Sequence, residues 1–415
     1  MMRRRTVMLA CGLTAACVRT DADEPAAGEA STGDVQPVDD GSSTGLPAAD
    51  TTTSASSDGA LETSDGCAEP CGSSDGDSDD GGPTVESQCH DRVDEDGDGV
   101  TDCFDSDCWG DTECDAAFLR VATWNVRGLG EVGATEYTQL VAVVQRIDAD
   151  VLCLQEVGDA EGEALDALAA ATGYETVVVG PALGAATGMI RNACLSRVDV
   201  AGSAIVGAAD ISSDPTANDV TRAFLRLRIN LQPSDRYVSV FAAHLKSGEE
   251  EVDRFRRMVE ATRLAQAVEQ ERDTFPGNAI VVLGDFNEVP DPPASTFASL
   301  PAGLPFSYSL GDDIDLPLDY DPFAPLESAS LLRTHAHVED APWTATYLPG
   351  LVRLDYIYQD LDTVVVAEVY EACEDDGVDD APLGDVLPKA GEALRCGASA
   401  DASDHRPVVA VFHVP

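Results

Sequence analysis

The stretch Ala279-Ile280-Val281-Val282-Leu283-Gly284-Asp285-Phe286-Asn287 decides how the chain is read. Its apolar run has the length of a strand buried on both faces, bounded by a glycine, and is shorter than a helix of the same hydrophobicity would be. An acid and an amide follow at once. Upstream, residues 249–272 have the pattern of a long charged amphipathic helix, and residues 237–245 form a second apolar run that carries His244 near its end. Further out, 119–126, 151–157, 224–231, 352–358, 364–369 and 408–413 read as strands, and 136–147 and 165–171 as helices. Strands and helices interleaved over roughly 300 residues predict one large layered α/β domain, not two small ones. There is no internal repeat.

Polar residues interrupt these runs at their ends. Asn125 closes the first strand, Glu156 the next, and His244 another, while Asp285 and Asn287 follow the quoted run. Asp355 lies in Leu354-Asp355-Tyr356-Ile357, and Asp404 and His405 precede the last strand. Strand ends of sheet-based folds share a rim, and active sites form there. The rim inventory is carboxylates, two histidines and two asparagines, without an obvious nucleophilic Ser or Cys. Oxygen donors suit Mg²⁺, Mn²⁺ or Ca²⁺ better than zinc. A hard cation polarises phosphoryl oxygens, and a histidine paired with a carboxylate moves or holds a proton. This combination points to hydrolysis of a phosphate ester by water. Cys153 and Cys194, inside apolar strands, read as packed thiols, Trp124 as core, and His335 and His337 as surface loop residues.

Six motifs occur in a fixed order: Thr123-Trp124-Asn125-Val126, Leu154-Gln155-Glu156, Ala243-His244-Leu245, Gly284-Asp285-Phe286-Asn287, Leu354-Asp355-Tyr356-Ile357 and Ser403-Asp404-His405-Arg406-Pro407. Together they resemble the endonuclease/exonuclease/phosphatase superfamily, over roughly residues 118–415. The resemblance implies a four-layer α/β sandwich of two mixed β-sheets flanked by helices. It implies a metal shell of Glu156, Asn125 and Asp404 for Mg²⁺ or Mn²⁺. Asp285 and Asn287 would orient water and the scissile phosphate. His405, supported by Asp355, would face the phosphate, with His244 as the second histidine. Arg127 and Lys246, in stretches that resemble pancreatic-type deoxyribonucleases and secreted bacterial nucleases, would contact substrate phosphate. Residues 191–197 resemble a strand that lends a polar residue to the pocket.

Composition bears on the substrate. The 415 residues include 25 Lys+Arg and 76 Asp+Glu, a net charge of −51. Residues 1–115 hold 5 basic and 28 acidic residues, net −23; residues 116–415 hold 20 and 48, net −28. Such a chain lacks the bulk basic footprint that draws proteins to polyanions, so a nuclease here needs a local cluster, for which Arg127, Arg191, Arg222 and Lys246 are the candidates. The first expectation is an exported nuclease acting on extracellular DNA or RNA. The alternatives are a phospholipid (sphingomyelinase-like) or small-phosphoester hydrolase and, from another class, a non-catalytic calcium-dependent surface binding protein.

The N-terminal part carries its own signals. Arg3, Arg4 and Arg5, a short apolar stretch over 7–13 and small residues leading to Cys17 resemble a bacterial lipoprotein signal. Residues 1–17 are therefore expected to direct export, with a lipid anchor at Cys17 in place of a transmembrane helix. The chain would sit at the outer surface or in the periplasm as a lipoprotein, or be secreted. Residues 18–88, rich in Ser, Thr, Gly and Asp, are expected to form a disordered acidic tether, with Cys67 and Cys71 near enough for a small loop disulfide. Residues 89–115 form a Cys/Asp-rich module. In it Asp94, Asp96, Asp98, Val100, Asp102 and Asp105 fall at the alternating positions of a calcium loop, and the arrangement resembles EF-hand and thrombospondin type 3 loops. Cys89, Cys103, Cys108 and Cys114 could staple it, and Cys373 with Cys396 would close a surface loop. Residues 116–415 form the catalytic domain.

Overall fold

The computed structural model describes residues 85, 87–89, 108, 118–158, 162–181, 190–232, 236–304, 314–334, 345–360, 365–372, 387 and 389–414. The export signal, nearly all of the tether, the calcium-loop positions 94–105, Cys67, Cys71, Cys373, His335 and His337 lie outside them.

In chain order the elements are β1 (Phe118–Asn125), α1 (Thr135–Ile147), β2 (Val151–Gly158), α2 (Gly162–Thr172), β3 (Thr176–Val179), β4 (Ile190–Ser196), β5 (Val200–Val206), α3 (Ala208–Ile211), β6 (Phe224–Leu231), β7 (Arg236–His244), α4 (Glu251–Thr274), β8 (Ala279–Asp285), β9 (Thr296–Phe297), β10 (Leu318–Asp319), α5 (Ala324–Ser328), β11 (Leu332–Arg333), β12 (Asp355–Gln359), β13 (Val365–Val369), α6 (Ala398–Ala402) and β14 (Val408–His413). One six-stranded sheet runs β13-β14-β1-β2-β4-β3 and the other β11-β12-β8-β7-β6-β5. Each is mixed, with one parallel pair: β1 with β2 across helix α1, and β7 with β8 across helix α4.

The layers follow from strand alternation, since successive side chains point to opposite faces. Leu119 and Val121 of β1, Val151 of β2, Val238 and Val240 of β7, Val281 and Leu283 of β8, Ile357 of β12 and Phe412 of β14 meet in one core between the sheets. The opposite face of the first sheet, including Trp124, Leu152 and Leu154, packs on Leu140 and Val144 of α1, Leu165 and Leu168 of α2 and Ala398 of α6. That of the second, including Val282, Tyr356 and Tyr358, packs on Ala261, Leu264 and Val268 of α4 and Leu326 of α5. The architecture is the four-layer α/β sandwich expected from the motifs. Strands β3, β5 and the two-residue pieces were absent from the sequence reading: they are short, and β5 is half-exposed with a weak apolar pattern.

Two disulfides are described, Cys89–Cys108 and Cys153–Cys194, and Cys396 is also disulfide-bonded. The second corrects the reading of Cys153 and Cys194 as packed thiols. The two residues are direct partners across antiparallel β2 and β4, with Cα atoms 4.1 Å apart, a pairing invisible until the strands are placed. The bond spans 41 residues. By the loop-entropy relation, its loss should cost about 4 kcal/mol. A Cys153→Ala, Cys194→Ala double variant should therefore show a clearly lower urea midpoint, with a slope equal or steeper as the unfolded chain is released; an unchanged midpoint would mean that the bond does not constrain the fold.

Candidate active site

The strand alternation that builds the inter-sheet core also aims the site. In β1 the inward positions Leu119 and Val121 continue in step to Asn125; in β7, Val238, Val240 and Ala242 continue to His244; in β8, Val281 and Leu283 continue to Asp285. Ile357 of β12 is in step with Asp355. All four polar side chains are 1 % exposed, at one end of the inter-sheet core. Register completes the cluster: Asp285 lies opposite His244 on one side and Asp355 on the other.

Glu156 needs a different device. An extra residue between Leu154 and Val157 shifts the β2–β4 register, and Glu156 takes φ 60. This bulge re-aims the side chain at the end of β2, and bulges beside active sites serve this purpose. Asn287 (φ 53) and Arg127 (φ 48) are also left-handed. Three of the six non-glycine residues with positive φ among the described residues thus sit at this rim, where backbone strain is held in place by surrounding structure.

The polar contacts cross from sheet to sheet. Asn125 Nδ2 of the first sheet donates to Asp285 Oδ2 of the second at 2.9 Å, and to Glu156 Oε1 at 3.2 Å. His244 Nε2 of the second sheet is 3.9 Å from Glu156 Oε1 of the first and 3.6 Å from Asp285 Oδ2. His405, just before β14, has Nδ1 2.8 Å from Asp355 Oδ2. Its backbone is fixed as well: Trp124 Nε1 donates to the His405 carbonyl at 2.8 Å, and Ser403 Oγ accepts the His405 N–H at 3.1 Å and donates to the Asn125 carbonyl at 2.7 Å. Trp124 is buried, as expected, with a hydrogen-bonding duty added. Asn287 N–H donates to Asp285 Oδ1 at 2.8 Å, and its amide donates to the Leu245 carbonyl at 3.0 Å.

The candidate phosphate contacts divide. The Arg127 side chain is 70 % exposed, and its Nη1 lies 3.5 Å from Asp404 Oδ2. Lys246 is on the loop after His244, with Nζ 2.9 Å from Asp253 Oδ1 and donating to the Ser247 carbonyl. Arg222 is buried, and its Nη2 donates to His244 Nε2 at 3.0 Å. Arg191 donates to the Gly158 carbonyl at 3.4 Å. Sequence reasoning missed Thr346 and Tyr347. Thr346 Oγ1 accepts the N–H groups of Leu354 (2.9 Å) and Asp355 (3.1 Å), and the Tyr347 ring lies 5.0 Å from the His405 ring. No strand pattern marks them, because they sit on the turn that pairs Tyr347 with Val352.

Electrostatics separate the roles. Burial pushes Asp285 up to about 7, helped by the neighbouring Asp355 charge and opposed by His405 and the hydrogen bonds from Asn125 and Asn287. Burial lowers His405, but the charge and hydrogen bond of Asp355, with Asp285 and Asp404, outweigh it and hold the imidazole at about 9. Burial lowers His244 far below the usual histidine range, and Arg222, His405 and Lys246 add to it. At neutral pH the site therefore holds one charged histidine, one neutral histidine and a carboxylate poised to take a proton.

These shifts can be tested directly. Since its folded value lies above the ordinary 6.5, His405 contributes stability that is fully present below pH 6.5 and is lost as pH rises through about 9. Asp355→Asn removes the main raising contact, so the His405 titration followed by NMR in the metal-free protein should move well below 9. A titration unchanged by the substitution would break the assignment of Asp355 as its partner.

Two groupings could meet a cation. Asp285, Asp355 and His405 each offer a ligand atom within 4.8 Å of the others, but His405 Nδ1 is engaged by Asp355 and its protonated form is favoured. Glu156, partly open to solvent, offers a carboxylate to a hard cation, while the Asn125 amide beside it turns its Nδ2 to Glu156 and its Oδ1 to the Arg127 N–H at 3.0 Å. Asp404 shares the rim through Ser403, with its carboxylate directed to Arg127.

Residues 122–405 match the endonuclease/exonuclease/phosphatase family, from the strand that ends in Asn125 to His405 itself. The chain belongs to this family. It is thus a metal-dependent phosphoric ester hydrolase. No curated protein matches it in sequence. Solved structures similar to this family member include truncated TDP2 from Caenorhabditis elegans (17 % identity, TM-score 0.43, covering 72 % of this chain and 98 % of that one). They also include the human Nocturnin catalytic domain with bound sulfate (16 %, 0.46, 71 % and 94 %). A third is an endonuclease/exonuclease/phosphatase from Beutenbergia cavernae (18 %, 0.45, 72 % and 72 %).

Proposed function

We propose that the chain is an exported phosphodiesterase that cleaves extracellular nucleic acid by direct attack of water. One observation carries the mechanism: among the described residues, neither histidine ring of the site hydrogen-bonds a serine or cysteine. His244 accepts from Arg222 and His405 bonds Asp355. A Ser–His or Cys–His nucleophile pair is therefore missing, and water is left as the attacking group. Asp285 takes the water's proton, with Asn287 and Asn125 holding its two oxygens in place. Charged His405 faces the phosphoryl oxygens, its other nitrogen engaged by Asp355. Glu156 and Asn125, with Asp404, would hold Mg²⁺ or Mn²⁺, which when bound would supply positive charge at the phosphoryl and leaving oxygens.

Nucleic acid as substrate is supported by Arg127, an exposed cation on the rim of an otherwise acidic domain. A phospholipid or small phosphoester is the second reading, favoured by the net −28 of residues 116–415 and by the engagement of Lys246 with Asp253. Export is supported by the residues around Cys17 and by the two described disulfides, which belong to oxidising compartments. No described helix is long and apolar enough to cross a membrane, and the anchor proposed is a lipid on Cys17. Calcium at 94–105 is proposed from the aspartate spacing alone.

The test is product release by the full-length protein from plasmid DNA, RNA, sphingomyelin and bis(p-nitrophenyl) phosphate, with Mg²⁺, Mn²⁺ or chelator. Metal-dependent cleavage of DNA or RNA that disappears in a Glu156→Ala, His405→Ala variant would establish the nuclease. Turnover of lipid or the small ester alone would favour the second reading.

A further inference from the structure

Helix α4 packs on the second sheet with an unusual face. Beside Ala261, Leu264 and Val268 it buries Arg256, Arg257, Glu260, Arg263 and Glu271. Charges are rarely buried without a partner, so each must be accounted for. Arg263 pairs with Asp219 at 2.9 Å, and Arg257 with Glu288 at 3.1 Å. Glu260, 1 % exposed, is different. Its Oε1 accepts the Thr221 N–H at 2.7 Å, and its Oε2 accepts the Lys246 N–H at 2.6 Å.

Those two amides belong to two separate loops. Thr221 precedes Arg222, and Lys246 is two residues after His244. One carboxylate thus holds together the segments whose side chains meet at the Arg222 Nη2–His244 Nε2 contact of 3.0 Å. Arg256 Nη2 donates to Thr221 Oγ1 at 2.8 Å and secures the first loop again from the same helix. The carboxylate also acts through charge. Burial lowers the Arg222 pKa, and Glu260 is the foremost group opposing that loss, ahead of Asp285 and Glu156.

We infer that Glu260 is a positioning residue for the hydrolytic reaction: from helix α4 it clamps the 221–222 and 245–246 segments so that Arg222 donates to His244 Nε2. This fixes which nitrogen of His244 carries the proton. With Nε2 accepting from Arg222, the proton sits on Nδ1, and Nε2 stands 3.9 Å from Glu156 Oε1 and 3.6 Å from Asp285 Oδ2 without a proton to donate to either. Glu260 touches no reacting atom in this role. The inference rests on the phosphoesterase reading of the site for its kinetic consequence, but not for its structural one.

The test compares wild type, Glu260→Gln, Arg222→Gln and the double variant as full-length proteins. Turnover of bis(p-nitrophenyl) phosphate with Mg²⁺ is the first readout. Glu260→Gln keeps the shape but loses one of the two acceptors and the charge. It should lower kcat by about 10- to 100-fold, the scale of groups that orient direct participants, with KM changed little. In the Arg222→Gln background it should add no further loss, because both act through one contact. Losses that multiply in the double variant, or a Glu260→Gln protein with wild-type kcat, would overturn the inference.

The second readout needs no turnover: the ¹⁵N shifts of His244 in histidine-labelled protein with Mg²⁺, assigned by loss of the signal in His244→Gln. Wild type should show an accepting Nε2, and Glu260→Gln a mixture of tautomers. An unchanged signature would overturn the inference even if none of the substrates were cleaved, an outcome that separately removes the proposed function. Near-UV circular dichroism of each variant identifies any protein that has lost its fold; for such a variant Glu260→Asp, which retains charge and both oxygens, should restore the wild-type shifts, and its failure to do so would also count against the clamp.

Discussion

Glu156→Gln should lower kcat for the best substrate by about 10³-fold or more while leaving the protein fully folded. The size follows from the position of Glu156. It is the partly open carboxylate of the rim, it meets Asn125 and approaches His244, and a strained backbone aims it there. An amide of equal shape keeps the hydrogen bond from Asn125 but gives up the charge that a divalent cation requires. The same substitution removes the charge of one of the two carboxylates, Glu156 and Asp285, that share the Asn125 amide, so the thermal midpoint should hold or rise. Sites tuned for chemistry commonly carry such a stability cost. Parallel measurement of kcat and the midpoint decides the matter. A variant with near wild-type kcat would remove Glu156 from the cation site, and one that failed to fold would make its role structural.

Gly284→Ala should be the most damaging single methyl group in the domain. Gly284 has φ 147, and a Cβ there would lie 1.9 Å from the Ala243 carbonyl oxygen and 2.8 Å from its carbon. Both are backbone atoms of the neighbouring strand, paired with Gly284 in register, so no rotamer change can relieve the clash. Either β7 and β8 separate or β8 shifts, and the pair beside them is His244 with Asp285. A destabilisation above about 3 kcal/mol is expected, since strain at a special φ and overpacking add. Gly202→Ala is the control: it lies on β5 with nothing within 4 Å of the added carbon. Denaturant midpoints of the two variants, with soluble yield, make the comparison. Equal midpoints would mean that the two strands do not approach as closely as described.

The glycine also illustrates what the sequence made legible. In Gly284-Asp285-Phe286-Asn287 the apolar alternation of the strand runs straight into the acid, so the inward face could be followed residue by residue to Asp285, and likewise to Asn125, His244 and Asp355. Local pattern sufficed there, because the period of a strand is a local property. Other features depend on which distant segments become neighbours. The bulge that turns Glu156 exists only against β4, and the Cys153–Cys194 bond only once β2 and β4 are paired. Arg222 could be named as a member of a cation cluster, but its contact with His244 could not. The inner face of α4 was harder still: residues 249–272 read as a long charged amphipathic helix, a pattern that does not say which charges turn inward, whereas Glu260 and Arg257 are buried against loops that the helix itself secures.

The division of the site between the sheets has one more consequence. Asn125 with Asp285 and Glu156 with His244 each join a residue of one sheet to a residue of the other, and His405, on the segment that leads into β14 of the first sheet, joins Asp355 of the second. Neither β-α-β half holds a working set, and the reaction centre is a seam whose two lips are kept in alignment by the apolar side chains behind it and by the polar contacts across it. A slip of an ångström along that seam leaves every strand and helix intact and every catalytic group present, yet misaligns all three pairs together. Hydrolytic activity should accordingly act as a vernier on inter-sheet packing, fading on gentle warming while the far-ultraviolet signal of the secondary structure has yet to change.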